Sequence, residues 1–358
     1  MTKFFCSDFS RQAGEDIIGS GTNYSAYVLI ECPTPWDFEA FDSKYVPQEL
    51  KDLVAEVQKV KLPVKLLLIA PQKSKSTNST KILIYEKQKG WTSNGYKKKE
   101  FDVENLEQVA TVVRQYLRGE VLHCESENNQ TRDILVCTHG SHDQCCARYG
   151  NPFYFYAAAS IEELGLSNVR IWKSSHFGGH RFAPTMIDFP DGRYYGTLDQ
   201  ESFRSILTRT GDITCFNKVY RGWGILPLEI QALERDFILC YGWDWFNYKV
   251  AHRIIHENSD KSLIQAELTF EKPDGSIHRY QSELVKNETK TMRLKGSCST
   301  TKESEFVKYS VENLHLCSEK IGYFEAHEFV RNVQKVKGFT NAQKSESLVE
   351  SQGSNPTH

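Results

Sequence analysis

Two short segments of the chain combine residue types that bind metal ions. The first occupies positions 137–150 and reads Cys-Thr-His-Gly-Ser-His-Asp-Gln-Cys-Cys-Ala-Arg-Tyr-Gly. The second occupies positions 174–184 and reads Ser-Ser-His-Phe-Gly-Gly-His-Arg-Phe-Ala-Pro. Each segment follows the end of a predicted strand, and loops after neighbouring strands emerge at one edge of a sheet. We therefore expect two thiolates and two imidazoles to converge on a common centre.

Thiolate and imidazole are common ligands of both zinc and iron, so the spacing of the residues has to distinguish the two metals. Zinc fingers place roughly two to four residues between paired cysteines, whereas seven or eight residues separate Cys137 from Cys145 or Cys146. A further 29 residues lie between Cys146 and His176. The pair His176 and His180 lacks the helix and the glutamate of a zinc protease, because two glycines between the histidines penalise a helix by about 2 kcal/mol. These glycines do allow the backbone to pass close to a bulky inorganic centre and to point amide groups at it.

The two segments resemble the sucrase/ferredoxin-like family, which comprises thioredoxin-like ferredoxins. The similarity is carried by Cys-x-His-Gly-x-x-Asp-x-Cys-Cys-Ala followed by Ser-His-x-Gly-Gly-His-x-Phe-Ala-Pro. Further stretches are similar to cyanobacterial members and extend the resemblance over about residues 5 to 320: Phe5-Cys-Ser-Asp, Arg11-Gln-Ala-Gly-Glu-Asp, Ile30-Glu-Cys-Pro, Arg221-Gly-Trp and Gly242-Trp-Asp-Trp.

The resemblance implies a 2Fe-2S cluster held by two cysteines and two histidines. Carried onto this chain, the ligands are Cys137, Cys146, His176 and His180, with Cys145 as the alternative to Cys146. The implied function is one-electron transfer, which the outer nitrogens of the imidazole ligands can couple to protons. We expect a carrier that serves an unidentified redox partner protein, rather than an enzyme with its own substrate.

Two other functions remain open for the same residues. The Cys2His2 set could hold a structural zinc ion in an interaction module. The adjacent pair Cys145 and Cys146 could act in a thiol oxidoreductase, although the usual Cys-x-x-Cys is missing and a disulfide between neighbours is strained. We expect His139 and His142 to hydrogen-bond near the centre rather than to bind metal.

The predicted elements form two similar α/β segments. Strands over 24–32, 64–69 and 81–86 and helices over 50–60 and 104–117 give the order βαββα. The order recurs with a strand over 133–137, a helix over 153–164, a strand over 169–172, a hairpin over 186–197 and a helix over 200–208. This repeated order is typical of a thioredoxin-like fold, so we predict a degenerate copy over 1–125 and the ferredoxin domain over 126–222. The first copy has Cys32 where the second has Cys137, but no His-Gly-Gly-His, so we expect it to hold no cluster.

The remaining chain has a different pattern. We predict one long helix over 227–257, followed by an antiparallel meander with strands over 264–270, 277–285 and 290–294, within a third domain over 223–335. The tail over 336–358 is rich in polar residues, and we expect it to be disordered. Residues 94–100, which include three consecutive lysines, are expected to form a solvated loop.

The composition excludes several classes of protein. The chain has 358 residues with 44 basic and 46 acidic side chains, a near balance that provides no basic field for nucleic acid. No apolar run approaches the roughly 18 residues of a membrane span. The first residues lack the features of a secretion signal, so we expect a cytoplasmic protein. In a reducing compartment the ten cysteines are candidates for metal or redox chemistry rather than for disulfides.

Overall fold

The first half of the chain folds into a helix-covered sheet, as the alternating apolar pattern indicates. The computed structural model describes residues 4–71, 79–120 and 131–320. In chain order the elements of this half are α1 (Cys6–Gln12), β1 (Ala26–Glu31), α2 (Gln48–Lys59), β2 (Val64–Ala70), β3 (Thr80–Lys87), β4 (Tyr96–Val103) and α3 (Val109–Leu117). Strand β4 was not predicted, so the order from β1 to α3 is βαβββα.

The second half repeats this order. Its elements are β5 (Arg132–Cys137), α4 (Asn151–Glu163), β6 (Val169–Ser174), β7 (Met186–Phe189), β8 (Arg193–Tyr195), α5 (Gln200–Thr208), α6 (Phe216–Val219) and β9 (Tyr220–Trp223). The domain boundary predicted near residue 125 lies outside the described residues.

One mixed sheet contains all nine strands, in the order β4-β3-β1-β2-β6-β5-β7-β8-β9. Within each half the first two strands are parallel and the third is antiparallel to the first. The halves join through a short antiparallel pairing of β2 with β6, where Ile69 lies opposite Ser174 and Ala70 opposite Lys173. The chain is therefore an α/β protein, and its two halves have matching strand orders.

The two halves also pack against each other through the faces of their strands. Side chains alternate along β1, so that Val28 and Ile30 lie in a core with α2 and α3, while Tyr27 and Leu29 belong to the core shared with the second half. Tyr85 of β3 stacks on Phe189 of β7 with ring centroids 4.2 Å apart. The sheet consequently folds over its narrow β2–β6 junction and encloses a common core.

A buried network of charges lies between the halves. Lys98 on β4 places its Nζ 2.7 Å from Oδ2 of Asp133, and Arg170 on β6 bonds both Asp133 at 2.7 Å and Glu100 at 2.9 Å. The prediction of a solvated loop over 94–100 is wrong, because Tyr96–Val103 form an ordered strand. Within this strand Lys98 has buried carboxylate partners. A sequence pattern of consecutive lysines cannot indicate partners that lie so far along the chain.

The C-terminal region packs a helix on a second sheet. Its elements are α7 (Ile230–Tyr241), β10 (Lys249–Glu257), β11 (Leu263–Glu271), β12 (Ile277–Lys286), β13 (Met292–Lys295), β14 (Glu303–Phe306) and β15 (Tyr309–Lys320). The sheet order is β10-β11-β12-β15, and β13 pairs with β14 in a separate ribbon. The predicted third strand over 290–294 therefore exists as β13 but lies outside the main sheet.

The prediction of one long helix over 227–257 is wrong. Helix α7 ends at Gly242, whose φ of +63° leaves the helical region, and a 3-10 turn leads into strand β10. The β-branched residues Val250, Ile254 and Ile255 favour this strand. No helix within the described ranges is both long and apolar enough to span a membrane. The tail over 336–358 lies outside the described residues.

Candidate metal centre

The two cysteines of the first segment come together at the end of β5. Cys137 is the last residue of that strand, and Cys146 begins a single π-helical turn, Cys146–Gly150, that leads into α4. Both thiols are buried. Gly150 packs directly on the strand end, because a Cβ added there would lie 2.0 Å from the carbonyl oxygen of Cys137. The absence of a side chain at this position lets the turn approach the strand closely.

His176 lies beside these thiols, two residues after β6. Its Nδ1 is 3.7 Å from Sγ of Cys137 and 3.7 Å from Sγ of Cys146, and the three ligand atoms lie within 4.8 Å of one another. The backbone N–H of His176 donates to Nδ1 of His139 at 3.2 Å. The Nε2 of His139 lies 2.6 Å from the carbonyl oxygen of Asp37, to which it donates. Both nitrogens of His139 are thus engaged in positioning the loop that carries His176.

A glycine turn connects His176 to His180. Gly178 and Gly179 have φ of +96° and +81°, which favour glycine. The guanidinium of Arg221 lies directly against Gly179, where an added Cβ would be 2.5 Å from it. Arg221 donates to the carbonyl oxygen of Gly178 at 3.1 Å and to that of Ser20 at 2.7 Å. This buried cation therefore fixes the turn between the two histidines.

His180 has one nitrogen bound and the other free. Its Nε2 donates to the carbonyl oxygen of Gly296 at 2.5 Å. Its Nδ1 is buried and has no hydrogen-bond partner in the part of the chain that the structure describes. The ligand atoms of His142, His176 and His180 form a second group within 4.8 Å. An unpaired buried nitrogen is costly, so a metal at this position would satisfy it.

Burial keeps both of these imidazoles neutral. It lowers the pKa of His176 to about 2, with a further contribution from His180. Burial also lowers the pKa of His180, although the carboxylate of Asp143 acts in the opposite direction. A neutral imidazole has a free lone pair, which is the form that binds metals.

The surroundings of Cys137 favour the thiolate form of its side chain. Burial acts to raise its pKa, but hydrogen bonds from the thiol of Cys146 and from the amides of His139 and Phe177 outweigh burial and lower it. Amide groups that point at sulfur are also a common feature of iron–sulfur sites.

Cys145 points away from this group. Its Sγ lies 3.6 Å from Sγ of Cys6 and 3.3 Å from Sγ of Cys298. Of the two adjacent cysteines that the sequence left as alternatives, Cys146 is thus the one beside Cys137 and His176.

Comparison with known proteins gives one finding for this chain. The family model described as sucrase/ferredoxin-like matches residues 17–222. The chain belongs to the sucrase/ferredoxin-like family. No curated protein and no solved structure matches it. The matched residues include both segments that carry the candidate ligands and end before α7, so the C-terminal sheet lies outside the family match.

In this sucrase/ferredoxin-like chain, an open cleft of about 340 Å³ lies next to the histidines. His176 and His142 line it together with Phe38 from the first half. The His142 ring stacks on His176 with centroids 4.1 Å apart and on the exposed ring of Phe38 at 5.0 Å. The cleft therefore gives solvent a route to the edge of the site.

Sequence reasoning missed four residues that shape the site of this family member. Gly150 and Arg221 position the ligand segments, and Cys6 and Cys298 surround Cys145. Cys6 and Arg221 both fall within stretches that carried the family resemblance, and this resemblance could have indicated that the two residues matter for the site. Nothing in the local sequence of Cys298 indicated its position.

Proposed function

We propose that this protein is a one-electron carrier whose 2Fe-2S cluster is held by Cys137, Cys146, His176 and His180. The observation that carries the proposal is the position of His176 Nδ1, which lies 3.7 Å from both thiols. The unpaired buried Nδ1 of His180 supports the fourth ligand. Two sulfur and two nitrogen donors match the ligand set of a cluster with mixed cysteine and histidine ligation.

The chain's own residues would determine the redox properties. When bound, such a cluster accepts and releases single electrons. His176 and His180 supply neutral nitrogens where plant-type ferredoxins have thiolates, so the site carries less negative charge. Adding an electron then costs less free energy, and we expect a reduction potential above that of plant-type ferredoxins.

The histidines would also couple the electron to a proton. If each binds through Nδ1, its Nε2 remains available to hold a proton, and reduction raises the pKa of that nitrogen. The Nε2 proton of His180 is held by the carbonyl oxygen of Gly296. His176 lines the cleft, so we assign proton exchange to its Nε2.

We further propose that each half of the large sheet is a thioredoxin-like unit. The strand orders β4-β3-β1-β2 and β8-β7-β5-β6 correspond element by element. The site lies in the second unit, where its first two strands, β5 and β6, end. Cys32 follows β1 at the corresponding place in the first unit. Burial raises its pKa to about 12, which favours the protonated form of this thiol.

The thiol oxidoreductase hypothesis gains no support from the geometry. The thiols of Cys145 and Cys146 have different neighbours, with Cys145 beside Cys6 and Cys146 beside His176. The zinc alternative uses the same four ligands as the cluster, so metal content has to separate it from the electron carrier.

The test is anaerobic purification followed by visible and electron paramagnetic resonance spectroscopy before and after dithionite. We expect two iron atoms and two sulfide ions per chain, and a potential that falls by about 59 mV per pH unit where one proton follows the electron. His176→Cys and His180→Cys should retain a cluster with a lower potential, because a thiolate replaces a neutral ligand. The potential of His176→Cys should also depend much less on pH, whereas the potential of His180→Cys should keep its pH dependence, because proton exchange is assigned to Nε2 of His176.

His142→Cys is the matched control. This histidine stacks on His176 but is not a proposed ligand, so its replacement should leave the spectrum in place. A colourless protein with zinc bound by the two cysteines and two histidines would contradict the proposal. Unchanged spectra in both ligand variants would contradict it as well.

A further inference from the structure

A second group of metal-binding side chains lies on the other side of Cys146. It consists of Cys6 from α1, Asp143 and Cys145 from the loop before α4, and Cys298 from the segment between β13 and β14. Cys6 and Cys298 both lie outside the residues that match the sucrase/ferredoxin-like model. The proposed cluster uses none of these four residues.

The three sulfur atoms form a compact triangle. Their separations are 3.6 Å for Cys6 and Cys145, 3.3 Å for Cys145 and Cys298, and 3.5 Å for Cys298 and Cys6. A tetrahedral zinc ion with Zn–S bonds of about 2.3 Å holds its sulfur ligands about 3.8 Å apart. The triangle is therefore close to the size that a single zinc ion requires. One disulfide could join only two of the three thiols.

The carboxylate of Asp143 completes the group. Its Oδ1 accepts from the backbone N–H of Cys145 at 2.8 Å and lies 3.9 Å from Sγ of Cys6. Its Oδ2 accepts from the backbone N–H of Cys298 at 3.0 Å. All four ligand atoms lie within 4.8 Å of one another. The carboxylate thus fixes the backbone at two cysteines and offers a fourth donor.

The charge balance favours a cation at this position. Asp143 is 5% exposed, and no lysine or arginine among the described residues forms an ion pair with it. The two backbone N–H groups hydrogen-bond this carboxylate without neutralising its charge, and a buried charge is normally paired with an opposite charge or bound to a metal. Three thiols beside it can release their protons to a metal ion and become anionic ligands.

We propose that Cys6, Asp143, Cys145 and Cys298 bind one structural zinc ion. The four ligands close the coordination shell, which is typical of structural rather than catalytic zinc. The ion would tie α1 and the β13–β14 segment to the loop that carries Cys146. Gly296, two residues before Cys298, holds Nε2 of His180. The zinc ion would therefore brace one side of the proposed redox centre.

The test measures zinc and iron per chain in the anaerobically purified protein and in Cys6→Ser and Cys298→Ser variants. We expect about one zinc per chain in the wild type and a loss of most of it in both variants, with the iron content retained. Cys32→Ser is the matched control, because Cys32 is as buried as Cys6 and lies outside the group. It should keep both metals.

X-ray absorption at the zinc edge of the wild type provides a readout that does not depend on the folding of a variant. Three sulfur ligands and one oxygen ligand are expected. Absence of zinc, zinc with two sulfur and two nitrogen ligands, or a disulfide within the group would overturn the inference. Loss of iron but not zinc in Cys298→Ser would do the same. Zinc that depends on Cys298 in a protein without iron would support this site and contradict the proposed electron carrier.

Discussion

Substitution of Gly179 by alanine tests whether the turn between the two histidines is held as the structure indicates. At a φ of +81°, any side chain costs about 1–2 kcal/mol. The new Cβ would also lie 2.5 Å from the guanidinium of Arg221, which has to move. Breaking even one of its hydrogen bonds to Ser20 or Gly178 costs about 1.5–3 kcal/mol, because the donor is charged. The expected loss of stability is therefore about 2.5–5 kcal/mol.

Gly165→Ala is the matched control for this substitution. Gly165 has a φ of +63° and nothing within 4 Å of an added Cβ, so only the backbone cost of about 1–2 kcal/mol applies. Urea unfolding gives the free energy of each variant, and iron per chain reports on the site. Gly179→Ala should lose more stability than the control and retain less iron. Equal losses in the two variants would refute the role assigned to Arg221.

Two further perturbations follow from buried contacts. Gly150→Ala places a Cβ 2.0 Å from the backbone oxygen of Cys137, so the end of strand β5 has to shift. The iron content per chain should therefore fall. Full iron occupancy in this variant would contradict the close approach of Gly150 to Cys137. Hydrogen bonds from Arg170 and Lys81 outweigh the effect of burial and lower the pKa of Glu100 from 4.5 to about 2. Its stabilising effect, about 3 kcal/mol, is therefore present above pH 4.5 and is lost as the pH falls toward 2. The difference in unfolding free energy between the wild type and Glu100→Gln should shrink over that interval, and a constant difference would contradict the assignment.

Local signals in the sequence predicted much of the α/β scaffold. The strands β1, β2, β3, β5 and β6 follow from runs of β-branched and apolar residues, whose side chains fill both faces of a buried sheet. Strand β4 was missed because its lysines suggested solvent, whereas Lys98 pairs with Asp133 in another part of the chain. The long helix was predicted wrongly, because α7 ends at Gly242 and the chain continues through a 3-10 turn into strand β10.

The sequence by itself determined the family, the α/β class and the two segments that carry thiols and imidazoles, because these depend on residue type and short spacing. The assignment of Cys137, Cys146, His176 and His180 as ligands stays a prediction. The tertiary structure decided which adjacent cysteine lies beside His176. Successive residues in a helical turn point about 100° apart, so packing determines which thiol faces which neighbour.

Only the tertiary structure brought Cys6 and Cys298 to Cys145, from 139 and 153 residues away. It also placed the guanidinium of Arg221 against Gly179. Such contacts depend on how the strands, α1 and the C-terminal ribbon pack together. A local pattern fixes the direction of a side chain along its own element, but it does not specify which distant element that side chain meets.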